Sequence, residues 1–347
     1  MTPSRLLLPF SWLYGAAVAL RNLAFDIGLA GVEKCQVPVI SVGNISAGGT
    51  GKTPFVVELV SFLQKLGRKP AVLSRGYGRR SKGFQVVSNG IQRCAEAITA
   101  GDEPALFAEK LNGVPVVVDE KRVRGARKAV ELFSPDVIVL DDGFQHRSLF
   151  RDCDIVLMTA EELTMPAALL PAGYRREPLR ALKRAHLIVV SKCTDLEEFR
   201  KASADLQSRF HLPVIGLRTS MEKIREFGTR KEFDREALRG KKVVAFSGIA
   251  DASSFDSTLD GLGAIVLAHH RFRDHHWYTS DDLRKIGESF QAGGAEFLAT
   301  TEKDMVRLGD GVGSLKRLPI VGIEVRSEII AGESELQVVL RKVFGEN

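Results

Sequence analysis

The sequence predicts an α/β protein of the P-loop NTPase type. The expected architecture is a mostly parallel sheet with helices on both faces, a smaller C-terminal α/β lobe and an apolar N-terminal helix. Three observations carry this prediction. Short, continuous, β-branched apolar runs alternate with longer helical patterns, as parallel strands covered on both faces require. A glycine-rich loop with lysine and threonine follows the first such run, and an Asp-Asp pair follows a later one.

The N-terminus comes first. Leu6–Leu20 carries no charge, but it is short for a span and contains Pro9 and Ser11. Trp12 and Tyr14 suit a membrane–water interface. An interfacial helix is therefore the first expectation, with an ordinary packed helix or a signal or spanning segment as alternatives. The expected strands are Val37–Val42, Ala71–Leu73, Val114–Val118, Val137–Leu140, Asp154–Met158, Leu187–Val190, Val214–Leu217, Val243–Phe246 and Ile265–Ala268. Thr53–Leu66, Pro104–Leu111, Arg122–Phe133 and Leu196–Ser208 read as helices between them. The polar stretch Arg218–Lys242 lacks apolar periodicity and reads as a connection. The chain then divides into a membrane-associating helix (1–30), a nucleotide-binding domain (31–217), a linker (218–241) and a C-terminal lobe (242–347) that closes over the site.

Composition narrows the function classes. Of 347 residues, 44% are hydrophobic and 27% charged, which supports a real core and excludes a disordered chain. A net charge of +6 favours anionic partners such as phosphates or acidic headgroups. Nucleic acid fits poorly, because the excess is small, aromatics are 7% and no recognised module is present. Cys35, Cys94, Cys153 and Cys193 form no CxxC pair, which argues for reduced thiols rather than a disulfide framework or zinc site. Nothing implies an obligate protein partner.

Ser46-Ala47-Gly48-Gly49-Thr50-Gly51-Lys52-Thr53 departs from GxxxxGK[ST] only at Ser46. Its backbone N–H groups and the following helix N-terminus would cradle phosphates. Lys52 would reach the β- and γ-phosphates of ATP, and the Thr53 hydroxyl would bind Mg2+. Asp141 and Asp142, at the end of a buried strand, stand where P-loop enzymes keep a magnesium-holding acid. Gln145 and His146 continue that loop and are expected to face the phosphates.

A kinase acting on an alcohol needs a base, and Asp102 is the candidate. Gly101-Asp102-Glu103-Pro104 is equally a good helix start. Glu103 is a further candidate for Mg2+. Arg75, Tyr77 and Arg79 follow a strand at the same sheet edge as the loop, where an acceptor would bind. Arg176, beside Arg175, suits a phosphate, either the transferring one or one on the substrate. Lys121, Arg122, Arg124, Arg127 and Lys128 read as a solvated basic helix start. Ser191–Asp195 lacks the Asn and spacing of a base-reading NKxD and reads as a strand end.

The ordered set VGNISAGGTGKTP (Val42–Pro54), SRGYGR (Ser74–Arg79), GDEP (Gly101–Pro104), LDDGFQHR (Leu140–Arg147), LLPAGYRREPL (Leu169–Leu179), DHHWY (Asp274–Tyr278) and TEKD (Thr301–Asp304) resembles the successive motifs of the lipid A 4'-kinases. Where that family often has a GIGNP-like turn, this chain reads Gly248-Ile249-Ala250-Asp251-Ala252. The resemblance implies transfer of the ATP γ-phosphate to the 4'-hydroxyl of tetraacyldisaccharide 1-phosphate, a glycolipid precursor of lipid A. It implies action at the cytoplasmic face of a Gram-negative inner membrane, with Asp102 as base and His275 as its partner. His276 is adjacent and stays open. Two other readings exist. A switch-type P-loop ATPase would carry lysine where Ala47 stands, and a soluble metabolite kinase would have no use for Leu6–Leu20.

Overall fold

The computed structural model describes residues 5–166, 168–309, 315 and 317–346. The first half contains α1 (Leu8–Asp26), β1 (Val39–Asn44), α2 (Lys52–Lys65), β2 (Pro70–Ser74), β3 (Gln85–Asn89), α3 (Ala97–Ala100), α4 (Asp102–Lys110), β4 (Pro115–Val118), α5 (Arg122–Phe133), β5 (Val137–Asp141) and β6 (Cys153–Thr159). Then come α6 (Glu161–Thr164), β7 (Leu187–Ser191), α7 (Leu196–Phe210), β8 (Val214–Glu226) and β9 (Glu232–Phe233). The last third holds β10 (Lys242–Ser247), α8 (Ala252–Gly261), β11 (Ile265–Arg271), α9 (Ser280–Gly293), β12 (Phe297–Thr301), α10 (Glu302–Leu308), β13 (Ile320–Ala331) and α11 (Glu333–Val343).

One 13-stranded sheet runs through the molecule in the order β11-β10-β12-β13-β8-β7-β6-β1-β5-β2-β4-β3, with β9 on β8. From β8 to β4 every neighbouring pair is parallel, and β3 closes that edge antiparallel. The four strands β10–β13 are mutually parallel but meet β8 antiparallel. The fully buried runs of β1, β2, β5 and β7 are those that continuous apolar sequence predicts. Their side chains pack under Phe55, Val56, Leu59 and Leu63 of α2.

The polar stretch at 218–241 differs from expectation. Much of it is β8, which leaves β7 after Gly216 and pairs with β13 as far as Glu226. Charged residues are tolerated there because most of this ribbon is only partly covered. Ion pairs across the ribbon, Arg218–Glu328 and Arg225–Glu324, both at 2.9 Å, replace apolar periodicity as the pairing signal.

Helix α1 is inside out. Ser11 is its one buried residue, while Phe10, Trp12, Leu13, Leu20 and Leu23 are exposed. Its polar positions face the protein. Ser11 Oγ donates to Leu169 O (2.9 Å), Tyr14 Oη to Arg176 O (3.1 Å) and Asn22 Nδ2 to Glu177 (2.8 Å). Arg147 pairs with Asp26 at 2.7 Å. Tyr14 thus turns inward and only Trp12 of the two aromatic candidates is presented outward. No helix among the described residues is long and apolar enough to cross a membrane.

The loop after β5 lies directly on β1. A Cβ at Gly43 would sit 2.6 Å from Phe144 Cβ and 2.9 Å from Phe144 N, and Phe144 is fully buried. Gly43→Ala should therefore cost about 1–3 kcal/mol through overpacking, read as a lower midpoint in urea unfolding with unchanged slope.

Candidate active site

The glycine-rich loop joins β1 to α2. Gly51 caps α2 at φ 78°, a conformation that favours glycine. Side chains and main chain around the loop fix its shape. Ala47 N donates to Tyr174 O (2.7 Å), Ser191 Oγ to Thr50 O (2.8 Å) and Asn44 Nδ2 to Thr50 Oγ1 (3.1 Å). Ser46, at the position where the motif has glycine, is fully buried and donates to Glu162 Oε1 at 2.5 Å. Its hydroxyl is thereby satisfied by a neighbouring carboxylate.

The acids converge on Lys52 and Thr53. Lys52 Nζ lies 3.6 Å from Asp142 Oδ1. Arg176 Nη1 donates to both Asp142 oxygens, at 2.9 and 3.1 Å. Burial pushes Asp142 upward, but Lys52 and Arg176 outweigh it and hold the carboxyl down at about 2. Asp141 has the opposite balance. It accepts from Ser74 Oγ at 2.8 Å, its Oδ1 is buried without a partner, and burial with nearby Glu103 and Asp142 pushes it up to about 7. Glu103 Oε1 accepts from Thr53 Oγ1 (2.9 Å) and Lys303 Nζ (2.6 Å).

Among the described residues no three His, Cys, Asp or Glu side chains close into a ready-made metal cage. Mg2+ does not need one, because it keeps waters and binds through one or two carboxylates plus phosphate oxygens. The unpartnered Asp141 oxygen and the hard-oxygen set of Thr53, Glu103, Asp141 and Asp142 fit that ion.

Asp102 opens α4, directly after Gly101 at φ 96°. A Cβ at Gly101 would sit 3.1 Å from Gly76 Cα and from Tyr77 O, so glycine lets the loop after β2 press against the helix start. The helix is capped by Gly101, and the Asp102 carboxylate is committed elsewhere. It accepts His275 Nδ1 at 2.8 and 3.0 Å and Arg307 Nε at 2.9 Å. Burial opposes its charge, but the His275 hydrogen bond, Arg307 and Lys303 hold it far below the usual carboxylate range. For His275 burial also opposes charge, and the Asp102 contact outweighs it and raises the imidazole above its ordinary value. His276 goes elsewhere: it bonds Asp282 at 2.9 Å and stacks on Phe272 with centroids 4.6 Å apart. The partner of Asp102 is thus His275, brought across from the C-terminal lobe.

A second group surrounds the exposed Arg75 and Tyr77. The Tyr77 ring is 5.1 Å from the His275 ring. His146 is half-buried and depressed to about 4, by burial first and then by Arg122 and Arg75. Arg122 is buried, and among the described residues its Nε and Nη2 have no partner. Burial first, offset in part by Asp141, lowers it to about 10. Buried guanidinium donors of this kind suit an anionic oxygen. Gln145 does not join this group. Its amide donates to Asn44 O (2.9 Å) and Glu177 Oε1 (3.0 Å), bracing the loop rather than facing phosphates.

The sequence profile described as tetraacyldisaccharide-1-P 4'-kinase matches residues 3–344. The chain belongs to the tetraacyldisaccharide-1-P 4'-kinase family. It is 39% identical over 347 residues to the tetraacyldisaccharide 4'-kinase of Chlorobium limicola, covering 98% of each chain. It is 39% identical over 334 residues to that of Anaeromyxobacter dehalogenans, covering 94% of this chain and 87% of the relative. Its fold is similar to a crystal structure of LpxK from Aquifex aeolicus in complex with ATP, with TM-score 0.78, 34% identity and 97% and 98% of the two chains covered. Membership makes the chain a kinase that phosphorylates a hydroxyl group, and the switch-type ATPase and the metabolite kinase drop out.

Within this kinase family the sequence reading passes over three side chains that the site uses. Lys303 and Arg307 stand one turn apart on α10 and supply positive charge to Glu103 and Asp102. TEKD marks the segment but not the charge role. Arg122 hides in a run that reads as solvated.

The dyad predicts a titration. The share of stability from His275 is present below the ordinary histidine pKa and is lost as pH rises through its raised value. That of Asp102 is present above the ordinary carboxylate range and lost only in strong acid. In Asp102→Asn, NMR titration of the His275 ring should give a lower midpoint than in the unaltered protein. An unchanged midpoint contradicts the contact.

Proposed function

We propose that this chain transfers the γ-phosphate of ATP, with Mg2+, to the 4'-hydroxyl of a tetraacyldisaccharide 1-phosphate at the cytoplasmic face of a bacterial inner membrane. One observation carries the mechanism. Asp102 is a buried carboxylate kept ionised by His275 and Arg307, and it is adjacent in sequence to Glu103, which touches Thr53 of the phosphate loop.

Ser46, Ala47, Gly48, Gly49, Thr50 and Gly51 would wrap the phosphates with backbone N–H groups, and Lys52 would balance the β- and γ-oxygens. Thr53, Asp141 and Asp142, assisted by Glu103, would hold Mg2+, which neutralises charge on the phosphates. Arg176, now on Asp142, is within reach to follow negative charge as it moves onto the transferring group. Phosphoryl transfer passes through a loose transition state, so the hydroxyl loses its proton late. A strongly depressed carboxylate suits that demand: Asp102 first orients the attacking oxygen and then takes its proton, with His275 sharing the charge. Arg75, Tyr77, Arg122 and His146 form the acceptor side, where the unpartnered Arg122 donors fit the substrate phosphate. The outward apolar face of α1 suits insertion into the interface beside the lipid's acyl chains.

Purified protein given labelled ATP, Mg2+ and the disaccharide monophosphate in detergent should yield a labelled bisphosphorylated lipid. ATP consumption with no labelled lipid would defeat the reading. Asp102→Asn and His275→Ala should each lower kcat by about 10²–10⁴ while KM for ATP stays near its original value. Near-normal turnover in either variant removes that residue from the mechanism. On the membrane side, Trp12→Glu with Leu13→Glu should release the protein from vesicles containing acidic phospholipid in a flotation assay, with the far-UV spectrum unchanged. Retained flotation would count against α1 as the anchor.

A further inference from the structure

A second histidine-centred array lies in the C-terminal lobe, outside the site described above. Ser247 Oγ and His269 Nε2 are 2.9 Å apart, and His269 Nδ1 and Asp256 Oδ1 are 2.6 Å apart. Arg271 Nη2 donates to the other Asp256 oxygen at 2.7 Å, and the Phe255 ring packs edge-on to the imidazole at 5.7 Å. The order Ser–His–Asp is that of a hydrolase triad, but its surroundings are not. Ser247 has no accessible surface, and the adjacent Gly248 N, which an oxyanion would need, already donates to Asp304 Oδ1 at 3.0 Å. No substrate carbonyl can reach this serine, so the array acts on the protein itself.

Its position says how. β11 is the edge strand of the sheet, and Ile265 and Leu267 on it are 49% and 39% exposed. An apolar face therefore specifies its register weakly. The β10–β11 ladder also shifts register between Val243 and Val244. Beyond that irregularity the Ser247–His269 hydrogen bond ties the two strands side chain to side chain, and Phe272 N donates to Ser247 O at 2.8 Å. Both strands then run straight into the dyad. Gly248 O, just past the end of β10, accepts His275 N (3.1 Å) and Arg307 Nη1 (2.6 Å). His275 itself follows β11 after a short turn. A one-residue slip would move β11 by about 3.3 Å along its axis, more than the 2.8 Å contact between His275 and Asp102 can absorb.

We propose that the Ser247–His269–Asp256 array is a register lock, and that Ser247 and His269 are positioning residues that set His275 and Arg307 on Asp102. The carboxylate of Asp256 keeps a proton on His269 Nδ1, which leaves Nε2 as acceptor for the Ser247 hydroxyl. This rests on the reading of Asp102 and His275 given under the proposed function, and the test separates the two.

Ser247→Ala removes the bond without adding volume, and His269→Phe removes it while filling the space. Each should keep its circular dichroism spectrum, lose roughly tenfold to a hundredfold in kcat, and leave KM for ATP unchanged. Ser247→Thr, which keeps the hydroxyl, should recover turnover. In parallel, the ring nitrogen resonances of His275 should move in Ser247→Ala and His269→Phe without any substrate present. Folded variants with unaltered kcat and unaltered His275 resonances would overturn the proposal, whether or not their melting temperature falls. Resonances that move while kcat stays constant would uphold the lock and instead refute the role of the Asp102–His275 pair in transfer.

Discussion

The structure turns on one buried charge. Asp102 has almost no contact with water, and an isolated carboxylate there would be costly. It is stable because α10 supplies Arg307 to it and Lys303 to its neighbour Glu103, and the turn after β11 supplies His275. The start of α4 is therefore tied to α10 and to the turn after β11 through paired buried charges. Arg307 is itself fixed by Asp304 and Gly248 O, and Tyr278 donates to Asp304 at 2.6 Å. The dyad is thus supported by a network that reaches from α10 through the turn after β10.

Opposite electrostatic balances on neighbouring carboxylates divide the labour. Asp102 is kept ionised by His275, Arg307 and Lys303 and Asp142 by Lys52 and Arg176, whereas at Asp141 burial and the acidic neighbours Glu103 and Asp142 outweigh Ser74 and Lys52. The first pair is neutralised by the protein. The nearby Arg122 is the converse: among the described residues two of its buried guanidinium nitrogens have no acceptor. On the function proposed above, a divalent ion would complete the carboxylates and a substrate phosphate the Arg122 donors.

Features written into contiguous residues are legible in the sequence, and features written across it are not. The phosphate loop depends on fixed local offsets, so Gly51, Lys52 and Thr53 announce it, together with the strand before and the helix after. Continuous apolar runs give β1, β5, β6 and β7 for the same reason. β13 and most of β8 escape, because their pairing is specified by ion pairs between segments about a hundred residues apart. Asp102 and His275 are 173 residues apart, and only resemblance to a family joins them before the fold does. Arg122 looks solvated because charge runs usually are, and only burial reveals otherwise. Gln145 misleads in the other direction: its place in the loop suggests phosphate, and its neighbours Asn44 and Glu177 take it first.

Arg176 has a double attachment with a mechanical consequence. Its carbonyl is held by the Tyr14 hydroxyl of the inside-out helix, while its guanidinium grips Asp142 beside Lys52. Any displacement of α1 would therefore act, through a single amino acid, on the carboxylate that neighbours Lys52.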